Sequence, residues 1–216
     1  MDIERFLEVV TREKGRVAAV VDTHIHADHL SGAREIQQLT SCSLIMHESS
    51  PAKFSFTPIK EGEHELAGLT VRVIHTPGHA PEHMCLLIEN RVLLSGDCLL
   101  VRDVGRIDLG RGDPYRLYDS IFSKLLALND DVEVLPGHVG VKHFVSGDTS
   151  STIGIERRAN PALQTRSKEE FMKYMQEGWP RKPDQHELFV KVNSGELRLG
   201  QAQDLARAKQ GELVSQ

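Results

Sequence analysis

No apolar run in this chain of 216 residues approaches the roughly 18 to 20 that a membrane span requires, so an integral-membrane role is set aside. The opening MDIERFLEVV is acidic and amphipathic, without the basic-then-apolar form of a signal peptide. Positive charge is not in excess: 26 Lys and Arg stand against 31 Asp and Glu, a net charge of −5. A nucleic-acid binder needs a cationic footprint, and that class is excluded with it. Cysteine is scarce. Cys42, Cys85 and Cys98 have no paired spacing, so reduced thiols and a cytoplasmic setting are expected rather than a disulfide framework. Internal repeats and low-complexity tracts are also missing.

Histidine is what the chain has in unusual concentration. Three of its 11 histidines fall between His24 and His29, in VVDTHIHADHLSG. Crowded imidazoles repel one another once protonated, and burying them unpaired costs free energy. A divalent cation removes both problems by holding the rings neutral and turning nearby carboxylates into ligands.

The hydrophobic pattern places this cluster. Ile3, Phe6, Leu7 and Val10 have helical spacing, with Gly15 ending the helix. RVAAVVDT reads as a buried strand that delivers the histidines, followed by a short helix near 31–39 and a strand at SLIM. GLTVRVIHTPGH is a strand stopped at Pro77-Gly78, and MCLLIENRVLLSGD is a strand pair turning at Glu89-Asn90. Asp113-Pro114 starts a helix carrying Leu117, Ile121, Leu125 and Leu128, and VEVLPGH is a further strand. Ser167 and Glu170 form a capping box ahead of Phe171, Tyr174 and Met175. Strands alternate with helices, so the class is α/β or layered α+β. One domain over 1–216 is expected, with a core over 1–145 and a C-terminal segment over 146–216 packed on it.

One arrangement recurs along the chain. His24, His26, Asp28 and His29 follow a strand; His79 follows one through TPGH, Asp97 through SGD, and His138 through PGH. Seven metal-capable side chains thus sit on loops at strand ends, where a rigid sheet can aim them at one point. Imidazole and carboxylate without thiolate suit Zn, Fe or Mn. In a two-metal hydrolase, His24, His26, His79 and Asp97 hold one ion. Asp28, His29, Asp97 and His138 hold the other, Asp97 bridges, and a hydroxide attacks an ester, thioester or lactone. Spacing alone does not choose between one metal and two.

THIHADH, TPGH, SGD and PGH, in this order over 22–138, resemble the metallo-β-lactamase superfamily. That resemblance implies an αββα sandwich with metal at one edge of the sheets. GDCLLVRDVGRIDL, LYDSIFSKLLAL, SSTIGIERRANPALQ and FMKYMQEGWPRKP are similar to its persulfide dioxygenase branch, especially members often fused to rhodanese domains. The branch implies one Fe(II) per chain on His24, His79 and Asp97, with positions left open for a thiol persulfide and O2. Both oxygen atoms pass to the terminal sulfur, giving sulfite and the free thiol. His26, Asp28, His29 and His138 then become groups that orient ligands and water. Relatives usually carry a strand pair ahead of the first helix, so an open sheet edge beside RVAAVV is expected, which a homodimer would cover. The alternatives are two Zn(II) per chain in a thioester hydrolase resembling glyoxalase II, or an inactive metal-binding subunit.

Arg102, Arg106, Arg111 and Arg116 alternate with Asp103, Asp108 and Asp113. They read either as ion-paired bracing or as a rim where Arg102 or Arg106 binds a carboxylate of a thiol such as glutathione. Cys98 reads as a small buried apolar residue, and His75, His83 and His143 as loop or rim histidines.

Overall fold

The structure, a computed structural model, describes residues 3–139, 148–176 and 178–202. Strands in chain order are β1 (Ala19–Val21), β2 (Ser43–His47), β3 (Thr57–Ile59), β4 (Gly62–Leu66), β5 (Leu69–His75) and β6 (Met84–Ile88). They continue with β7 (Val92–Gly96), β8 (Leu99–Leu100), β9 (Asp103–Val104), β10 (Glu133–Pro136) and β11 (Ser151–Thr152). The α-helices are α1 (Ile3–Arg12), α2 (Ala33–Thr40), α3 (Pro114–Asp119), α4 (Ile153–Ala159), α5 (Lys168–Gln176) and α6 (His186–Asn193). The strands form a parallel three-stranded sheet, β1-β2-β3, a six-stranded sheet, β11-β10-β7-β6-β5-β4, and a small β8-β9 pair.

Alternation along the strands builds the layers, because successive side chains leave a strand on opposite faces. In β6, Met84 and Leu86 meet Val71 and Val73 of β5 and Ile45 of β2 between the two sheets. Cys85 and Leu87 of β6 point the other way, toward Leu117, Ile121, Phe171 and Met175. On the smaller sheet, Leu44 and Met46 of β2 turn outward to Ala33 of α2 and Val190 of α6. The order is therefore helix, sheet, sheet, helix: the expected αββα sandwich.

Local chemistry explains the connections. Glu89 and Asn90, at φ 50° and 52°, both take the left-handed conformation and make the tight turn that the Arg91 N–H closes on the Ile88 carbonyl. Asp113 caps α3 by accepting from the N–H groups of Tyr115 and Arg116, with Pro114 opening the helix. The helix expected through Leu128 is not continuous α-helix. It passes into a π-turn over Ser120–Lys124 and a 3-10 turn over Leu125–Ala127. Leu117, Ile121 and Leu125 stay fully buried, since looser winding still keeps residues four apart on one face.

Two features bear on the expected open edge. β1 ends its sheet and pairs only with β2 among the described residues. None of the ten residues of α1 is buried, although its apolar stripe is present. At the other end, Ser194 accepts from the Lys53 N–H and Val192 from Arg34, which ties the end of α6 to the smaller sheet's side. No helix among the described residues is long and apolar enough to cross a membrane.

Candidate metal centre

Three of the strand-end loops meet at one point. His24 follows β1, His79 follows β5 through Thr76-Pro77-Gly78, and Asp97 follows β7; one ligand atom of each lies within 4.8 Å of the others. Nε2 of His24 and Nε2 of His79 stand 3.8 and 3.7 Å from the same oxygen, Asp97 Oδ2. Those separations are too long for hydrogen bonds. They leave room for an ion among the three atoms.

The partner behind the His79 ring sets its tautomer. His79 Nδ1 is 2.7 Å from the Arg106 carbonyl, which can only accept, so the proton sits on Nδ1 and Nε2 carries the lone pair. His24 Nδ1 is 2.9 Å from Thr23 Oγ1, while its Nε2 is buried without any hydrogen-bond partner. An orphaned buried nitrogen is costly unless something satisfies it. A cation at this point would do so. Burial, then the neighbouring histidines, holds the His24 pKa well below the usual imidazole range, so the ring is neutral as a metal ligand must be. On these grounds the residues fit a divalent ion.

The other four predicted residues join the same site. His26, Asp28 and His29 offer atoms within 4.8 Å of one another, and His26 Nδ1 is also buried without a partner. His138 is differently committed. Its Nδ1 lies 2.7 Å from Asp97 Oδ1 and its Nε2 2.8 Å from Asp28 Oδ2. These bonds, the one to Asp28 first, raise its pKa to about 10. Burial works to raise the pKa of Asp28, but the bonds to His138 and His29 hold it far below the usual range. At Asp97 burial likewise opposes ionisation, and the His138 bond and surrounding imidazoles overcome it. His29 and His138, at 43% and 37% side-chain exposure, form the open edge of the site.

Sequence reasoning missed the side chains that hold these loops. Asn193, at the end of α6, donates to the carbonyls of His26 (2.9 Å) and His29 (2.7 Å) and accepts from the Ser31 N–H (3.0 Å). Its amide nitrogen and its oxygen both serve the loop, yet it lies more than 160 positions away in the chain. His83, expected at a rim, is fully buried instead, stacked on His24 and bonded to the backbone of Asp97. The correction has a simple cause: its polar atoms find partners inside, so burial costs little. Burial, then His79, lowers its pKa to about 3. His75 stacks on His47 at 4.0 Å and bonds the Pro81 carbonyl, and His143 lies outside the described residues. Cys98 is fully buried, and burial raises its thiol pKa.

The arginines divide. Arg106 makes a bidentate pair with Asp108 at 2.7 and 2.9 Å through Nε and Nη2, and Nη2 also reaches the Pro180 carbonyl. Arg102 sits at φ 58° with its N–H on Glu156. Arg111 pairs with buried Glu82 and lies between two cavities of about 440 and 360 Å³ that share Pro81.

Comparison with known proteins gives this geometry a context. A family model described as the metallo-β-lactamase superfamily matches residues 2–138. The mitochondrial persulfide dioxygenase ETHE1 of Homo sapiens is 32% identical over 181 residues, spanning 82% of this chain and 68% of that protein. The hydroxyacylglutathione hydrolase GloC of Haemophilus influenzae is 30% identical over 189 residues, 77% of this chain and 85% of that one. Among solved structures, ETHE1 from Myxococcus xanthus superposes with a TM-score of 0.81 at 30% identity, covering 89% of this chain and 83% of that one.

Proposed function

The chain belongs to the metallo-β-lactamase superfamily, and from that premise we propose that it is a persulfide dioxygenase holding one Fe(II) on His24, His79 and Asp97. A thiol persulfide, O2 and water would become the free thiol and sulfite. What supports the single-ion reading is the convergence of one atom each from His24, His79 and Asp97, together with the likeness to the ETHE1 persulfide dioxygenases.

Bound at this triad, Fe(II) would supply open positions for O2 and sulfur and the redox capacity that zinc lacks. The residues of the chain do the rest. His79 presents Nε2 because the Arg106 carbonyl holds its Nδ1 proton, and His24 presents a buried Nε2 while Thr23 engages its Nδ1. His138 holds a proton on Asp97 Oδ1, which leaves Oδ2 as the oxygen facing the two imidazoles. Asp28 holds the other His138 proton at the open edge, where a departing thiolate can receive it. Asn193 keeps the loop of His26 to Ser31 closed over this edge.

Arg102 and Arg106 are the proposed contacts for a carboxylate of the carrier thiol. Nε and Nη2 of Arg106 are engaged, so Nη1 is the group that would reach it. Arg106→Gln then raises KM by roughly tenfold to 150-fold, the worth of a charge-assisted contact of about 1.5 to 3 kcal/mol. Unchanged kinetics with a lower melting temperature would make Arg106 a brace for Asp108 and nothing more.

A second reading, a two-metal thioester hydrolase, draws support from the His26, Asp28 and His29 cluster and from the likeness to GloC. Metal analysis of protein purified under anaerobic conditions separates them. About one iron per chain is expected for a single triad. Two metals per chain, lost together, would favour the hydrolase.

A further inference from the structure

Three loops supply His24, His79 and Asp97, and one of the three also reaches the backbone beside the other two. We propose that Glu82 and His83 are positioning residues of the metal centre: the loop that contributes His79 sets the places of His24 and Asp97. This rests on reading those three residues as the metal-holding set.

His83 acts on Asp97. Its ring is fully buried, with Nδ1 2.8 Å from Thr76 Oγ1 and Nε2 accepting the Asp97 N–H at 3.0 Å. A backbone N–H can only donate, so Nε2 bears the lone pair and the proton lies on Nδ1, directed at Thr76. The ring also stacks on His24, with centroids 5.1 Å apart and planes 29° from parallel. Gly96 makes the approach feasible. At φ +49° it turns the chain sharply before Asp97, and a Cβ there would come within 2.6 Å of His83 Nε2. The backbone of Asp97 is therefore wrapped against an imidazole whose tautomer is fixed.

Glu82 acts on the first loop. It is 1% exposed and accepts the N–H of Ile25, the residue between His24 and His26, at 2.9 Å. Arg111 neutralises it through bonds of 3.0 and 2.6 Å. The next residue continues the stitch, since the Met84 N–H donates to the Thr23 carbonyl at 3.0 Å. Residues 82–84 thus run alongside 23–25 in bonded contact, and the same short segment grips the start of the Asp97 loop. Neither side chain belongs to the set of converging ligand atoms. Their effect is on where those atoms stand.

Groups that orient metal ligands are typically worth about 10- to 100-fold in metal affinity. The test measures zinc and cobalt(II) affinity by competition with a chromogenic chelator, alongside unfolding of the metal-free protein. His83→Leu fills the space without an acceptor, and is expected to weaken metal binding by about 10- to 100-fold. His83→Gln returns an oxygen that can accept from Asp97 N, and should recover much of that loss. Glu82→Gln keeps an acceptor for Ile25 but strands Arg111, and should weaken binding less than Glu82→Leu. Nitrogen NMR of the unaltered protein reads the tautomer directly, whether or not the leucine variant folds. Protonated Nδ1 and bare Nε2 on His83, before and after zinc, are expected; a protonated Nε2 would overturn the proposal. So would unchanged metal affinity in the Leu variants with only the metal-free protein destabilised. Failure of the underlying metal reading looks different: His24→Ala would then bind zinc as well as the unaltered chain.

Discussion

Alanine at His24, His79 or Asp97 will leave a folded protein that no longer retains metal through gel filtration. The three atoms involved come from three separate loops and lie within 4.8 Å of one another, with no fourth ligand in that set among the described residues. Losing one of three ligands removes more than an orienting group does, so affinity should fall by more than about 100-fold. Alanine at His26 or His138 should behave otherwise. His26 belongs to the adjacent cluster, and His138 bonds carboxylates through both nitrogens, so either variant should lose activity while keeping much of its iron. Equal metal loss from all five variants would sink the single-ion assignment.

The second large effect follows from replacing the metal and leaving every residue alone. Zinc takes the same imidazole and carboxylate ligands at similar distances, so the far-UV circular dichroism and melting temperature should match those of the iron-loaded protein. Oxygen consumption should vanish, because zinc has no redox chemistry and acts only as a Lewis acid. A zinc form that keeps full O2 uptake would remove iron from the account. A zinc form that unfolds would mean that the three loops do not take zinc as the donor set implies.

The candidate ligands were legible in the sequence because they cluster where strands end, and HIHADH is a dense set of metal-capable donors. Their supports were not. Asn193 looks like any polar residue near a helix end, and only the fold brings it onto the His26 and His29 carbonyls. Glu82 and His83 adjoin TPGH, yet nothing in the string APEH distinguishes two buried acceptors from a solvated loop. The same holds for the strands. β5 announces itself by apolar alternation and β6 and β7 by apolar runs, whereas β4, reading GEHEL, lies at a sheet edge with Glu63 and Glu65 exposed. Edge strands need only one covered face, so their sequences carry half the signal. The helix after Asp113 was placed correctly at its cap, and its winding into a π-turn was not, because apolar residues four apart fit both.

The claim that the centre activates oxygen for a persulfide, and does not merely polarise a carbonyl, is tested most directly by one side-by-side measurement. Iron-loaded protein is given glutathione persulfide or a glutathione thioester, each with and without air, while O2, sulfite and free thiol are followed. The account predicts O2 uptake only with persulfide, sulfite released in proportion, no turnover without air, and no uptake with plain thiol, which lacks the terminal sulfur. Thioester hydrolysis that proceeds equally without air, with no O2 uptake on persulfide, would contradict it.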